Sequence, residues 1–358
     1  MKKFIVIWIL ILIAAAYGLW QMRTNPFVGL PNSSISPTLA ASPFPTGDSA
    51  QQTTALFVPY WSLPDSEPAN SSYSSVLYFG VEATSQGIDK DDSGYKSLAD
   101  FNKFVNNGQK KLLVIRMLDN KENDLILNSA DFQTNIINQS INIAKDNGFK
   151  GVVVDFELSA LPFDSLIQQI NSFHDKFSTA ARKNNLTYGL TMYGDVFYRA
   201  RPFDIKHLSQ ISDQIYIMAY DLHKASGSPG PNFPIHNSDY DLEKMTDSFL
   251  TVTTPDKLTL VWGLFGYDWQ IDNDDNGVGT AQSLSYLQIE HEFLDNCPFT
   301  NCIIRRDTNS SETEIQYTDS KNNKHEVWFD DLQSVQKKEA FLQSKGINHF
   351  ALWAWSYF

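Results

Sequence analysis

From residue 54 onward, short apolar runs alternate with longer amphipathic stretches, the pattern that parallel strands joined by helices leave in a sequence. Eight such runs occur, at 55–61, 76–82, 111–118, 151–157, 186–193, 214–220, 258–265 and 349–355. The stretches between them include three clear helix candidates, 132–147, 163–184 and 332–345. The first and last of these stop before Gly148 and Gly346, and glycine commonly ends a helix. Eight strand-and-helix units predict an α/β fold, a (β/α)8 TIM barrel, as one main domain over residues 54–358. The connection from the seventh to the eighth run, about 80 residues, is too long for a plain helix. β-like segments near 312–319 and 325–329 predict a small α+β insertion there, which with the last helix takes up 270–345 and walls one side of a cleft. Phe358 follows the eighth run closely, so no stretch remains for the usual closing helix. The barrel is expected either to be capped differently or to belong to a longer sequence.

The first 53 residues follow other rules. Lys2 and Lys3 precede an apolar run over 4–20, 17 residues, or about 25 Å of helix. Residues 1–23 are therefore expected to enter a membrane, either as a retained signal anchor, favoured by the length and by Trp20, or as a signal peptide cleaved near Ala14-Ala15-Ala16. In both cases the remainder is expected outside the cytoplasm. Residues 24–53, rich in Pro, Ser, Thr, Ala and Asn with almost no charge, read as a flexible linker.

Charge narrows the partners. With 41 acidic against 28 basic residues the net charge is −13, which argues against nucleic acid or an anionic membrane surface and favours neutral ligands such as glycans. Cys297 and Cys302 are the two cysteines. Outside the cytoplasm a disulfide closing this small loop is the expected reading, two free thiols the alternative. No metal is expected, since neither the cysteines nor the seven histidines stand at ligand spacing. Asp272-Asn273-Asp274-Asp275-Asn276-Gly277 matches the first half of a calcium loop, but position twelve is Ser283 rather than glutamate, so it reads as a solvated acidic turn.

The candidate chemistry lies at the ends of the runs, where barrel enzymes keep their working residues. Within Gly151-Val152-Val153-Val154-Asp155-Phe156-Glu157, strand alternation puts Val153, Asp155 and Glu157 on one face. Burying two unpartnered carboxylates costs several kcal/mol, so their presence there calls for a use. The sixth run places Met218 and Tyr220 on one face with Asp221 just beyond. The eighth ends in Trp353 and Trp355, the first in Tyr60 and Trp61, and the seventh runs into Tyr267, Asp268 and Trp269. Carboxylates among tryptophans and tyrosines suit glycoside chemistry: acids act at the glycosidic bond and aromatic faces stack on pyranose rings.

These residues resemble glycoside hydrolase family 18, the chitinase-like barrels whose fourth strand carries Asp-Gly-x-Asp-x-Asp-x-Glu. Here that motif runs from Lys150 to Glu157 and keeps the final Asp and the Glu, while Lys150 and Val153 replace the first and middle Asp. The resemblance continues through Met218-Ala219-Tyr220-Asp221, Leu264-Phe265-Gly266-Tyr267-Asp268-Trp269, Val327-Trp328-Phe329-Asp330-Asp331 and Trp353. The last pieces look most like the bacterial spore-germination and cortex-lytic branch. It implies retaining, substrate-assisted hydrolysis of β-linked N-acetylglucosamine glycans, chitin-like or peptidoglycan, by a monomer without cofactor. Glu157 would be the general acid and base, Asp155 the residue that positions the N-acetyl group, and Tyr220 a hydrogen-bond donor to its carbonyl. Trp353 would floor the sugar subsite, Met218 and Asp221 would line it, and Trp355, Tyr60, Trp61, Tyr267 and Trp269 are further substrate-binding candidates. Val153 removes a partner of Asp155, so reduced or altered activity is expected. The alternative is a carbohydrate-binding barrel that has lost turnover.

Overall fold

A computed structural model describes residues 53–63, 73–106 and 108–358. The expected membrane segment, 1–23, and the linker up to residue 52 lie outside them. Among the described residues no helix is long and apolar enough to cross a membrane.

The eight runs become eight parallel strands: β1 (Thr53–Pro59), β2 (Ser75–Thr84), β3 (Lys110–Met117), β4 (Gly151–Phe156), β5 (Thr187–Tyr193), β6 (Gln214–Met218), β7 (Leu258–Gly263) and β13 (His349–Trp353). They pair in the circular order β1-β13-β7-β6-β5-β4-β3-β2, and β2 returns to β1 in parallel register, Ala55 opposite Ser75 through Pro59 opposite Phe79. This is the TIM barrel, and closure leaves no free edge among the eight. Alternation divides each strand between two cores. Ala55, Phe57, Leu77, Phe79, Leu112, Val114, Val153, Tyr216, Val261 and Ala351 fill the barrel interior. Their neighbours face the helices: Tyr78 lies against Phe101 of α1 (Leu98–Phe104) and Tyr188 against Phe177 of α4 (Asp164–Lys183). Each fully buried aromatic of this kind contributes about 1.5–3 kcal/mol.

Local sequence sets the helix limits. α2 (Asn120–Leu127) and α3 (Ala130–Asp146) begin at Asp119 and Ser129, whose side chains accept backbone N–H groups of the first turn. Gly148 (φ +70°) and Gly346 (φ +86°) end α3 and α5 (Leu332–Ser344) in the left-handed conformation. In both, paired bonds close the last turn, Phe149 N–H to the Ala144 carbonyl and Ile347 N–H to the Leu342 carbonyl, and the residue after the glycine is buried.

The insertion is a five-stranded antiparallel sheet of β8 (Phe265–Ile271), β9 (Gln282–Ser285), β10 (Thr300–Arg306), β11 (Thr313–Thr318) and β12 (Lys324–Phe329), in the order β9-β8-β12-β11-β10. It starts at Phe265, earlier than the pattern indicates, because the chain resumes extended pairing with β9 and β12 immediately after β7. Tyr267 and Trp269 are thus strand residues. Leu284, Ile289, Phe293, Ile315, Tyr317, Val327 and Phe329 form its own core, against which the Cys297–Cys302 disulfide packs. Three charges with no solvent exposure lie between the insertion and the barrel. The Lys338 ammonium of α5 stands 2.7 Å from Glu312 and 2.7 Å from Asp330, and 5.7 Å from the Trp262 ring of β7.

Candidate active site

The ends of β4 and β5 build the centre of the site. Val153 is in register with Gly189, so two residues further up the inward faces Asp155 meets Thr191, and two further again Glu157 meets Tyr193. The Thr191 hydroxyl donates to Asp155 Oδ1, and the Tyr193 hydroxyl donates to Glu157 Oε2 at 3.1 Å. Gly189 makes room below, since a Cβ there would lie 3.3 Å from a Val153 methyl and 3.1 Å from the Tyr216 ring. The backbone of Glu157 is fixed by its N–H to the Met117 carbonyl, 2.9 Å, and by the Asn123 side chain, which donates to the Met117 and Glu157 carbonyls at 2.8 Å each. Glu157 therefore projects from a rigid strand end, which suits precise positioning.

Both carboxyls hold their protons more tightly than usual. Burial first, and the Glu157 charge second, push Asp155 up to about 7, against the opposing pull of the Thr191 hydrogen bond and the Arg116 charge. Burial raises Glu157 as well, opposed by the Tyr193 hydrogen bond and by Lys224. Raised proton affinity in two acids that repel one another's charge favours a state in which one holds a proton to donate while the other is ionised.

Past the end of β6, Tyr220 packs on the barrel core and edge-on to Phe265, with ring centroids 5.6 Å apart. Its hydroxyl is kept protonated by burial and by the charges of Asp155, Asp221 and Glu157. Asp221 takes a left-handed backbone, φ +61°. Asn232 holds it there by accepting the Asp221 N–H at 2.7 Å, and the Tyr267 hydroxyl donates to its carboxylate at 2.6 Å. Met218 shares the inward parity of Tyr216, so Met218, Tyr220 and Asp221 converge on the mouth beside Asp155 and Glu157.

The aromatic residues divide into two sets. Trp353 is tilted against Phe57 at 5.6 Å and edge-on to Phe79 at 4.7 Å. Trp61, 44 % exposed, stands 6.4 Å from it, and Tyr60 lies between Trp61 and the Arg116 guanidinium. These form a continuous aromatic floor and lip. Trp355 does not join them, contrary to the shared face expected with Trp353: the strand ends at Trp353, a cis peptide leads to Ala354, and Ala354 rather than Trp355 enters the barrel interior. Trp355 instead packs edge-on to Phe104 of α1, in the helix layer. Trp269 is 1 % exposed and donates its indole N–H to the Gly227 carbonyl, so it braces the loop after β6 and offers no open face. Tyr267 reaches the mouth only through its hydrogen bond to Asp221.

Several residues of the site are not among the sequence candidates. Arg116 sits in an otherwise apolar run and is buried, in contact with Asp92 at 2.8 Å, Glu82 at 3.3 Å and the Gly80 carbonyl at 3.3 Å. Its position as the one charge within 112–118 is a signal of the same kind as Asp155. Thr191 and Tyr193 carry a weaker one, polar groups on the inward parity of the fifth run. Arg201, stacked 3.5 Å over the Tyr193 ring and paired with Asp195 at 2.6 Å, is visible only in three dimensions. The acidic turn is built on itself: Asp272 accepts the N–H groups of Asp274 and Asn276, which lowers its pKa. No group of three or more His, Cys, Asp or Glu with metal-holding geometry occurs among the described residues.

A closed parallel barrel with two inward acids ending β4 defines a class, and comparison with known proteins identifies it. Residues 42–357 match Glycosyl hydrolases family 18, and the chain belongs to that family. It is 25 % identical over 238 residues to the cortical fragment-lytic enzyme of Bacillus subtilis (strain 168), covering 64 % of this chain and 52 % of that protein. The chain spans about half the length of the first curated relatives it matches. Among solved structures, the Bacillus cereus spore cortex-lytic enzyme SleL superposes with a TM-score of 0.67 at 21 % identity, over 85 % of this chain and 71 % of that one. A Cycas revoluta family 18 chitinase in complex with (GlcNAc)3 gives 0.72 at 21 % identity, over 84 % and 94 %. At this identity the structural likeness establishes the fold.

Proposed function

We propose that this protein is a retaining glycosidase of β-linked N-acetylglucosamine polymers, with cortex-type peptidoglycan or chitin-like chains as substrate. The observation that carries this is the Asp155–Glu157 pair: two proton-holding carboxyls on one inward strand edge, each with a single hydroxyl partner, opening into an aromatic-floored mouth. The names of the relatives support the same substrate class. In the first step the Glu157 carboxyl gives its proton to the glycosidic oxygen. The bond from that oxygen to the anomeric carbon breaks as the substrate's own N-acetyl carbonyl oxygen bonds to the carbon. Asp155, ionised, accepts the N-acetyl N–H and stabilises the developing positive charge, and Tyr220 donates to the carbonyl oxygen. In the second step water attacks the anomeric carbon and gives a proton to the Glu157 carboxylate. The bond from the anomeric carbon to the N-acetyl oxygen breaks as the bond to water forms, restoring both groups with retention of configuration.

An extracytoplasmic location, by anchor or by secretion, belongs to the same reading. It is supported by the N-terminal apolar run after two lysines and by the disulfide. We propose a monomer as the working form. The test is hydrolysis of N-acetylglucosamine oligomers and of purified cell wall by the wild type beside Glu157→Gln, with product analysis. The substitution is expected to cost about 10³-fold in kcat, with oligomer binding retained. Equal rates from the two proteins would sink the assignment, and binding without any turnover by the wild type would establish a lectin-like barrel.

A further inference from the structure

Asp155 has few ways to be held in place. It is 3 % exposed, the methyls of Val153 occupy the position below it on β4, and Arg116, its neighbour in register on β3, is engaged with Asp92, Glu82 and the Gly80 carbonyl. Among the described residues its one side-chain hydrogen bond comes from Thr191, itself 7 % exposed. Thr191 rises from β5 directly above Gly189, the glycine that leaves space beside Val153. We propose that Thr191 is the positioning residue of this site, fixing the rotamer of Asp155 by donating to Oδ1 so that Oδ2 remains free for the substrate amide. This rests on the catalytic reading above and goes beyond it. It explains how a site with valine beneath its inner acid still orients that acid.

Any change at Thr191 acts in a field of titratable groups. Glu157 just past the end of β4, Arg116 on β3, Tyr193 on β5 and Tyr220 after β6 all bear electrostatically on Asp155. The Thr191 bond favours the ionised form of Asp155, so its loss raises the proton affinity.

The experiment uses the full-length chain as wild type, Thr191→Val and Thr191→Ser. Thr191→Val keeps the shape and removes the donor. It is expected to lower kcat about 10- to 100-fold and to move the acid limb of the pH profile to higher pH, with Thr191→Ser recovering most of both. In parallel, the Asp155 carboxyl is titrated by NMR with carboxyl-13C aspartate, its resonance identified by its absence in Asp155→Asn. The titration is expected to move to higher pH in Thr191→Val. An unmoved titration overturns the proposal whether or not kcat falls, because a fall alone would mark a merely structural role. An inactive wild type overturns the catalytic reading and the rate prediction with it. The titration, which needs no turnover, then decides alone whether Thr191 holds Asp155.

Discussion

Asp155 and Glu157 at the mouth of β4, and Glu312 and Asp330 between the insertion and the barrel, are both pairs of acids withdrawn from solvent, and they are partnered in opposite ways. Glu312 accepts the N–H groups of Asn232 and Phe233 and the Lys338 ammonium. Asp330 receives the same ammonium on both oxygens, at 2.7 and 2.8 Å. A buried cation and fixed donors offset part of the desolvation of that pair, although burial and the Glu312 charge still push Asp330 up to about 8. Asp155 and Glu157 receive one hydroxyl each, and the one buried cation in register with them, Arg116, acts on Asp155 only through its charge, making its hydrogen bonds to other groups. The structural pair is saturated. Both pairs bear mutual repulsion, but the mouth pair is left with free lone pairs, a cost the fold bears at a place where substrate groups can complete the set.

The largest expected effect comes from breaking the saturated pair. Lys338→Met leaves Glu312 and Asp330 buried without a counter-charge and is expected to cost about 3–5 kcal/mol of stability, read as a fall in the denaturant midpoint with unchanged slope. Activity per folded molecule at low temperature should stay near wild type, since Lys338 touches nothing in the mouth. A loss below about 1 kcal/mol would mean that the two pairs are not partnered differently in any way that matters to folding.

Relieving the unsaturated pair should do the reverse. A group whose folded pKa lies above its unfolded value contributes stability that is present below the unfolded pKa and lost as pH rises through the folded one. For Asp155 that window runs from 3.8 to about 7, and Glu157, raised by burial, acts in the same direction. Asp155→Asn is therefore expected to gain about 2–4 kcal/mol over wild type at pH 8 and little at pH 4, while losing most of its activity. Thermal unfolding of both proteins across this range gives the result. Parallel curves would show that Asp155 is not under the strain its surroundings impose.

How much of this contrast could be read from the chain depends on where each group sits. The eight runs gave the barrel because two-sided burial makes parallel strands apolar along their length. Asp155 and Glu157 stood out because charges at the end of such a run have no structural excuse. Glu312 and Lys338 did not stand out, and Asp330 entered only as part of the 327–331 stretch of the family resemblance. They lie in amphipathic segments where a charge is ordinary, and only tertiary packing removes them from water. Trp355 was misplaced for a related reason, since alternation assigns a face only while the backbone remains extended and the strand stops at Trp353. Thr191 escaped notice because a threonine in a strand needs no explanation until its partner is known.

Asn232 links the saturated pair to Asp221 at the mouth and gives the smallest effect and the finest test. Its backbone N–H donates to Glu312 at 2.5 Å, and its side-chain oxygen accepts the N–H of Asp221 at 2.7 Å. Asn232→Ala keeps the first bond and removes the second, leaving a buried N–H unpaired beneath a residue in the left-handed conformation. A cost of about 1–2 kcal/mol in stability follows from the orphaned donor. Asp221 and its Tyr267 bond would relax with it, so kcat should fall about 3- to 10-fold, without the shift of the pH profile expected from changes at Thr191. If stability falls and kcat does not, the saturated cluster serves only as scaffold. If both fall together, the rigidity gained by pairing every charge in one region is what allows the acids of the other to remain exposed to their substrate in a fixed geometry.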